Sequence, residues 1–193
     1  MNTLALIIAV LSTLFAGIGV LLLWRQIRKD HDWNQRNASA ELLVSWVTGD
    51  VREIWKTLEI DFGLKLLGVD QNYKTVFDSL DDEDERQRLK STVISLLNYL
   101  EVTSISIKSE VLDESIIYDF AALHFVLFRT WAQPLIDEYT KRDPTIFIEF
   151  RTYADKWQTM TEQDAATERL RQKRLSTQHH TVADSQGGAS VTD

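Results

Sequence analysis

An uncharged apolar run at the N-terminus restricts what the rest of this chain can fold into. From Leu4 to Leu23 the sequence reads LALIIAVLSTLFAGIGVLLL, with Ser12 and Thr13 as its most polar members. A helix of about 20 residues is about 30 Å long, which matches the thickness of a bilayer's hydrocarbon core. The run therefore predicts a transmembrane helix over residues 4–24.

Two other interpretations of this run fit the sequence less well. A cleaved signal peptide has a positively charged start, a shorter apolar core and small residues at its cleavage site. Residues 1–3 carry no side-chain charge, and the run ends in LLLWRQ, which offers no small residue to a peptidase. A helix buried in a globular protein would show polar positions at helical spacing, and no such pattern interrupts this run.

The residues after the run indicate which way it crosses the membrane. Trp24 suits a membrane–water interface, and Arg25, Arg28 and Lys29 follow it, whereas no Lys or Arg precedes the run. Because loops rich in Lys and Arg stay in the cytoplasm, we expect residues 1–3 outside and the remainder inside. The predicted location is the inner cell membrane, crossed once, with the lipid bilayer as a partner. The absence of cysteine agrees with a reducing compartment.

The predicted span also carries a ridge of small side chains. Ala5, Ala9, Thr13 and Gly17 recur at every fourth position, so they share one helix face. Such ridges allow two helices to approach closely in lipid. The pattern predicts a homo-oligomer formed through the membrane helix, although small residues are common in any transmembrane segment.

The chain after the span predicts an all-α domain. Two prolines and seven glycines in the whole sequence favour long helices, and no apolar–polar alternation lasts long enough for a sheet. We expect a juxtamembrane helix over 25–49, a cytoplasmic helical bundle over 50–173 and a disordered tail over 174–193. Since neither Gly nor Pro lies between Gly19 and Gly49, the span can continue into the juxtamembrane helix without a break.

Helix start signals divide the bundle. Acidic residues 81–85 predict a central helix that runs to about Glu110, and Asp113 is expected to cap the next helix. Asp143 followed by Pro144 predicts the start of the last helix. The buried face of the helix after Asp113 is expected to hold Ile116, Ile117, Phe120, Leu123, Leu127 and Trp131.

Three polar residues in the bundle form the candidate site. Glu101 flanks the apolar face of the central helix, so its carboxylate must be paired, protonated or at the rim of a cleft. One interpretation pairs it with a cation on a neighbouring helix, for which Arg129, Arg142 and Arg151 are the candidates. The other joins it to Asn98 and His124 in a polar pocket.

Several classes of function lack support in the sequence. There is no cysteine, no G-x-S-x-G, no Gly-rich phosphate loop and no paired-His motif, which disfavours an enzyme without excluding one. No second His or Cys lies at ligand spacing near His124, and the adjacent His179 and His180 are in the predicted tail, so no metal or cofactor is predicted. The net charge of −8 argues against a nucleic-acid partner, because phosphates require clustered cations.

The segment Leu96–Phe120, LLNYLEVTSISIKSEVLDESIIYDF, resembles the signature of a bacterial family known as domain of unknown function 4760. The signature has an Asn-aromatic-x-Glu step, an Ile-Lys-x-Gly-x-x-Asp-Glu step and a later aromatic residue. Ser109 or Glu110 stands where the Gly is expected. The matching residues are Asn98, Tyr99, Glu101, Ile107, Lys108, Asp113, Glu114 and Tyr118, with looser matches at Trp131, Arg142 and Trp157.

The resemblance implies an N-terminal membrane helix, a helical domain and a bacterial or phage source, and it implies no activity. Together with the residues, it predicts a membrane-anchored helical protein that acts as an interaction or regulatory module on the cytoplasmic face, with an unknown cytoplasmic protein as partner. The alternative is a membrane-bound enzyme or ligand sensor with a polar pocket around Asn98 and Glu101.

Overall fold

The computed structural model describes residues 3–64 and 71–186, with side chains over 18–64 and 71–169. This part of the chain contains helices and no strand, as the all-α prediction requires. The elements are α1 (Thr3–Thr48), α2 (Asp50–Lys56), a π-helical turn (Thr57–Asp61), α3 (Tyr73–Ser79), α4 (Glu83–Lys108), α5 (Glu114–Trp131), α6 (Gln133–Thr140) and α7 (Ile148–Gln186).

Helix α1 is continuous over 46 residues, as the absence of Gly and Pro after Gly19 predicts. Its side chains over 18–34 are all exposed, whereas Ser39 and Trp46 are buried against the bundle. The helix ends before Gly49, whose N–H still donates to the Ser45 carbonyl at 2.8 Å. A Cβ at position 49 would lie 2.7 Å from that same oxygen, so the close approach requires glycine.

No helix in the described part of the chain is both long and apolar enough to cross a membrane. Most of the predicted span falls on residues 4–17, whose side chains lie outside those described. The same holds for the predicted ridge of Ala5, Ala9, Thr13 and Gly17.

Helix α4 lies at the centre of the bundle and contacts α2 and α7. Its predicted face is buried, with Leu89, Val93, Leu96 and Leu100 fully inaccessible to solvent. Burying a side chain of this size stabilises the fold by about 1.5–3 kcal/mol. The central, largely buried helix that the wide apolar face predicts is therefore present.

The predicted buried face of α5 is partly wrong. Ile117 and Trp131 are buried, but Leu123 is 53% exposed and Phe120 is 39% exposed. Phe125 is fully buried instead, with its ring 4.6 Å from that of Trp157 on α7. The reason is that α5 packs mainly on α7, whereas Phe120 and His124 pack against Trp46 of α1. A helix with apolar residues on two stripes does not reveal which one faces the core.

Helix starts follow the sequence signals except at α7. Asp82 and Asp113 cap α4 and α5 by accepting from backbone N–H groups two residues on. Asp143 accepts a hydrogen bond from the N–H of Thr145 but caps only a turn. The left-handed backbone of Phe147, with φ 55°, separates this turn from α7, which begins at Ile148. The backbone of α7 then runs to Gln186, into the predicted tail, and residues 187–193 lie outside the described ones.

Candidate functional site

The signature residues of the Ile-Lys step gather at the turn between α4 and α5. The N–H of Glu110 donates to the Ile107 carbonyl, and the N–H of Val111 donates to that of Ser106. These two bonds form a Schellman motif, in which the residue after the C-cap is left-handed and usually glycine. Glu110 has φ 57°, so the structure places the expected glycine at position 110 rather than at Ser109.

Helix α1 is tied to this turn by a buried hydroxyl. Ser39 Oγ accepts a hydrogen bond from the N–H of Asp113 at 2.8 Å and donates to the Gln35 carbonyl at 2.8 Å. Ser39 is fully buried, so its hydroxyl satisfies a backbone group that would otherwise be unpaired. This contact fixes the start of α5 against the C-terminal part of α1.

Three weaker contacts surround Ser39 at the solvent edge. Gln35 Nε2 donates to the Glu110 carbonyl at 2.5 Å, and the His31 Nε2 atom lies 3.9 Å from a carboxylate oxygen of Glu110. The Arg36 Nε atom lies 3.9 Å from the Asp113 carboxylate. Exposed ion pairs such as the His31 and Arg36 contacts contribute little individually, whereas the Ser39 hydrogen bond is buried.

Helix α7 is joined to the same turn by ion pairs. Lys108 at the end of α4 pairs with Glu149, and Glu114 at the start of α5 pairs with Lys156 at 2.5 Å. The Trp157 indole N–H also donates to Glu114, at 3.1 Å. The signature turn is therefore the point where α1, α4, α5 and α7 meet.

The hydrogen bonds that Asp113 accepts as the cap of α5 lower the pKa of its carboxyl group. The hydrogen bond from the Ser115 hydroxyl, at 2.6 Å, is the main cause that lowers the pKa of Asp113 below the ordinary carboxyl value. The Ser115 and Ile116 backbone and the Arg36 charge act in the same direction, and burial opposes them. The carboxylate thus stays ionised where the α5 N-terminus favours negative charge.

A cleft of about 570 Å³ opens between α1 and this turn. Its lining comes from three elements and is mostly polar. The residues are Arg28, His31, Asp32 and Gln35 of α1, then Ile107, Lys108, Glu110, Leu112, Asp113 and Glu114 of the turn, and Tyr153 of α7.

Glu101 is tied to the backbone of α7. Its carboxylate oxygens accept from the N–H groups of Phe150 at 2.7 Å and Glu149 at 3.3 Å. None of the three candidate arginines is its partner: Arg129 pairs with Asp155, and Arg151 donates to backbone carbonyls, while no contact joins Arg142 to Glu101. Sequence reasoning missed this arrangement because backbone donors leave no mark in a pattern of charged residues.

Asn98 and His124 lie apart from Glu101 in the contacts of the described residues. Asn98 is exposed, and its side chain makes no hydrogen bond with any residue that the structure describes. The His124 ring packs edge-on against Trp46 at 5.9 Å and Trp55 at 5.6 Å, on the α1–α2 side of the bundle. Desolvation there lowers the pKa of His124, and the charge of Glu59 opposes the shift.

The predicted membrane-interface residues lie on an exposed part of α1. Trp24 is 57% exposed, and the Arg28 guanidinium sits over its ring at 5.5 Å. Arg25 and Lys29 are exposed as well. In the described part of the chain, no group of three or more His, Asp or Glu side chains is arranged to hold a metal ion.

Sequence analysis did not single out His31, Gln35 and Ser39, which join α1 to the signature turn. Their spacing of four residues places them on one face of α1. That spacing alone could have suggested a contact surface but not its partner.

A comparison with family models matches residues 13–157 to a domain of unknown function, DUF4760. The match includes the whole signature turn, the α1 residues that face it and α7 as far as Trp157. No curated protein and no solved structure gave a significant match.

Proposed function

The chain belongs to the DUF4760 family, and from this premise we propose that it is a membrane-anchored module that presents a helical domain to a cytoplasmic partner and transmits changes in its anchor to that domain. The single observation behind this proposal is the continuity of α1. One helix extends from the N-terminal apolar run into the core of the bundle.

The exposed apolar residues of α1 indicate that this part of the helix is surrounded by something other than water. Leu21, Leu22 and Leu23 are each at least 60% exposed, and they lie on different sides of the helix. Apolar side chains that surround a helix in this way are stable only against lipid or another chain. A bilayer fits the uncharged sequence that precedes them, and the cations after Trp24 support an inward-facing domain.

The contacts between α1 and the rest of the bundle support the proposal that changes in the anchor are transmitted to the domain. The Ser39–Asp113 hydrogen bond and the buried Trp46 hold α1 against α5, and Ser45 contacts the Tyr99 hydroxyl of α4 at 3.2 Å. A rotation of α1 must therefore move α4 and α5 or break these contacts. The alternative, a pocket around Asn98 and Glu101, has less support because Glu101 uses both oxygens on α7.

Membrane attachment can be tested by cell fractionation and alkaline carbonate extraction of the full chain. Leu11→Arg combined with Leu14→Arg places two charges in the apolar run, each costing about 2.5–3.5 kcal/mol at the centre of a span. We expect the double variant to lose membrane retention. Asn34→Arg, at an exposed position of α1 beyond the run, is the matched control and should stay in the membrane.

Orientation can be tested by cysteine labelling, because the chain has no cysteine of its own. Asn2→Cys should react with an impermeant maleimide added to intact cells. Gln158→Cys, at an exposed position of α7, should react only after lysis. Wild-type protein in the supernatant, or the reverse labelling pattern, would contradict the proposal.

A further inference from the structure

The cleft between α1 and the α4–α5 turn is large enough to hold a small ligand. Its volume of about 570 Å³ is within the range of about 300–1,000 Å³ that is typical of small-molecule sites. Its charged groups come from two opposing elements, with Arg28 and Asp32 on α1 and Lys108 and Glu110 on the turn.

Most charged groups around the cleft already have partners. Lys108 pairs with Glu149, and Glu114 pairs with Lys156. Arg28 and Asp32 differ, since neither makes an ion pair or hydrogen bond with any residue that the structure describes, and the Arg28 guanidinium contacts only the Trp24 ring. They are four residues apart, so both project from the same face of α1.

A free cation and a free anion in one cleft favour a ligand that carries both charges. A guanidinium binds phosphate oxygens through paired N–H groups. The Asp32 carboxylate can accept hydrogen bonds from a primary ammonium group, and so can that of Glu110, whose neighbour His31 lies 3.9 Å away. A quaternary ammonium has no N–H to donate, so the same carboxylates would hold it less firmly.

We propose that this cleft binds a phosphate ester bearing a primary ammonium group, which is the chemistry of an ethanolamine headgroup. Arg28 holds the phosphate, and Asp32 and Glu110 hold the ammonium. The lipid source of this ligand rests on the proposed membrane anchoring, which places Trp24 at the interface and Arg28 about 6 Å further along the helix. Free phosphoethanolamine is the other source.

The first test is calorimetric titration of the full chain in dodecyl maltoside micelles with O-phosphoethanolamine, phosphocholine and inorganic phosphate. We expect saturable binding of phosphoethanolamine, about tenfold tighter than that of phosphocholine, because hydrogen bonds to charged groups are lost. Arg28→Gln and Asp32→Asn should each weaken binding about tenfold or more. Arg25→Gln and Asp30→Asn are matched controls outside the cleft lining and should bind like wild type.

The second arm uses nanodiscs of phosphatidylcholine with or without phosphatidylethanolamine and counts retained lipids by native mass spectrometry. Retention of phosphatidylethanolamine that is lost in Arg28→Gln supports the lipid source, even if the free headgroup does not bind. Equal behaviour of Arg28→Gln and Arg25→Gln in both arms, or no preference over choline, overturns the proposal. If fractionation shows that the chain is not anchored, the micelle titration still tests the cleft by itself.

Discussion

The Glu101 carboxylate on α4 accepts a hydrogen bond from the backbone N–H of Phe150 on α7, at 2.7 Å. A second bond, from Glu149, is 3.3 Å long. The first N–H groups of a helix have no partner within the helix, and negative charge is favourable beside them. Glu101 therefore caps α7 from a different helix, because the side chain of Phe147, which precedes α7, has no hydrogen-bond acceptor.

Removing this cap should destabilise the bundle. We expect Glu101→Ala to lower the free energy of unfolding by about 2 kcal/mol, since two backbone donors lose a charged acceptor. Glu101→Gln keeps one acceptor oxygen and should lose less. Urea titration of the full chain in detergent, followed by circular dichroism, measures both values. Val102→Ala, at the adjacent and 61% exposed position, should change stability by less than about 0.5 kcal/mol. Equal effects at positions 101 and 102 would refute the capping role.

Glycine at the α4–α5 turn should stabilise the protein. Glu110 has φ 57°, which costs a side chain with a Cβ about 1–2 kcal/mol relative to glycine. The His31 pair that Glu110→Gly removes is exposed, so its loss costs little. We expect a gain of about 1 kcal/mol in thermal or urea unfolding. Glu110→Gln, which removes the charge but keeps the Cβ, should show no such gain; a gain of equal size in both variants would assign the effect to charge.

Removing the Ser39 hydroxyl should lower the free energy of unfolding. Ser39→Ala leaves the Asp113 N–H without its acceptor in a buried setting, at a cost of about 1–3 kcal/mol. Ser95→Ala is the matched control, because Ser95 makes the same hydrogen bond to the carbonyl four residues back but is exposed. Hydrogen exchange at residues 107–114 would show whether the loss is centred on the turn. Unchanged protection there in Ser39→Ala would mean that α1 does not hold the turn.

His124 should make stability depend on pH. Desolvation lowers its pKa in the folded protein, so the unfolded chain takes up a proton first, near the ordinary value of about 6.5. As pH falls through that value toward the lower folded pKa, protonation favours the unfolded state and the unfolding free energy decreases. His124→Phe keeps an aromatic ring beside Trp46 and Trp55 and should flatten this dependence below about pH 6.5. A slope that survives in His124→Phe would contradict the assignment.

Helix boundaries followed from the sequence wherever the determinants were local. Gly49 ends α1, and Asp82 and Asp113 cap α4 and α5, because each acts on neighbouring backbone groups. The start of α7 could not be found in this way. Its displacement from Pro144 depends on the positive φ of Phe147 and on a carboxylate supplied by α4.

The candidate site was less predictable than the helices. Glu101 attracted attention because a carboxylate beside an apolar face needs a partner, yet its partner is backbone and carries no sequence signal. The Ser39–Asp113 contact joins residues 74 positions apart, and the local sequence around neither residue predicts it. The faces of α5 illustrate the same limit: the predicted buried face included Phe120 and Leu123, but the packing of α5 on α7 buries Phe125 instead.

Helices α1 and α4 run antiparallel, so the two ends of the bundle, called its poles, lie at different distances from the N-terminal run. Gln35 contacts Glu110, and Ser45 contacts Tyr99 further along both helices, so the α4–α5 turn lies beside residues 31–39 of α1. With the N-terminal run in a bilayer, the end of the bundle that holds this turn would face the membrane. A macromolecular partner would then have steric access mainly at the opposite pole, and crosslinkers placed near Gly49 would be the first to reach it.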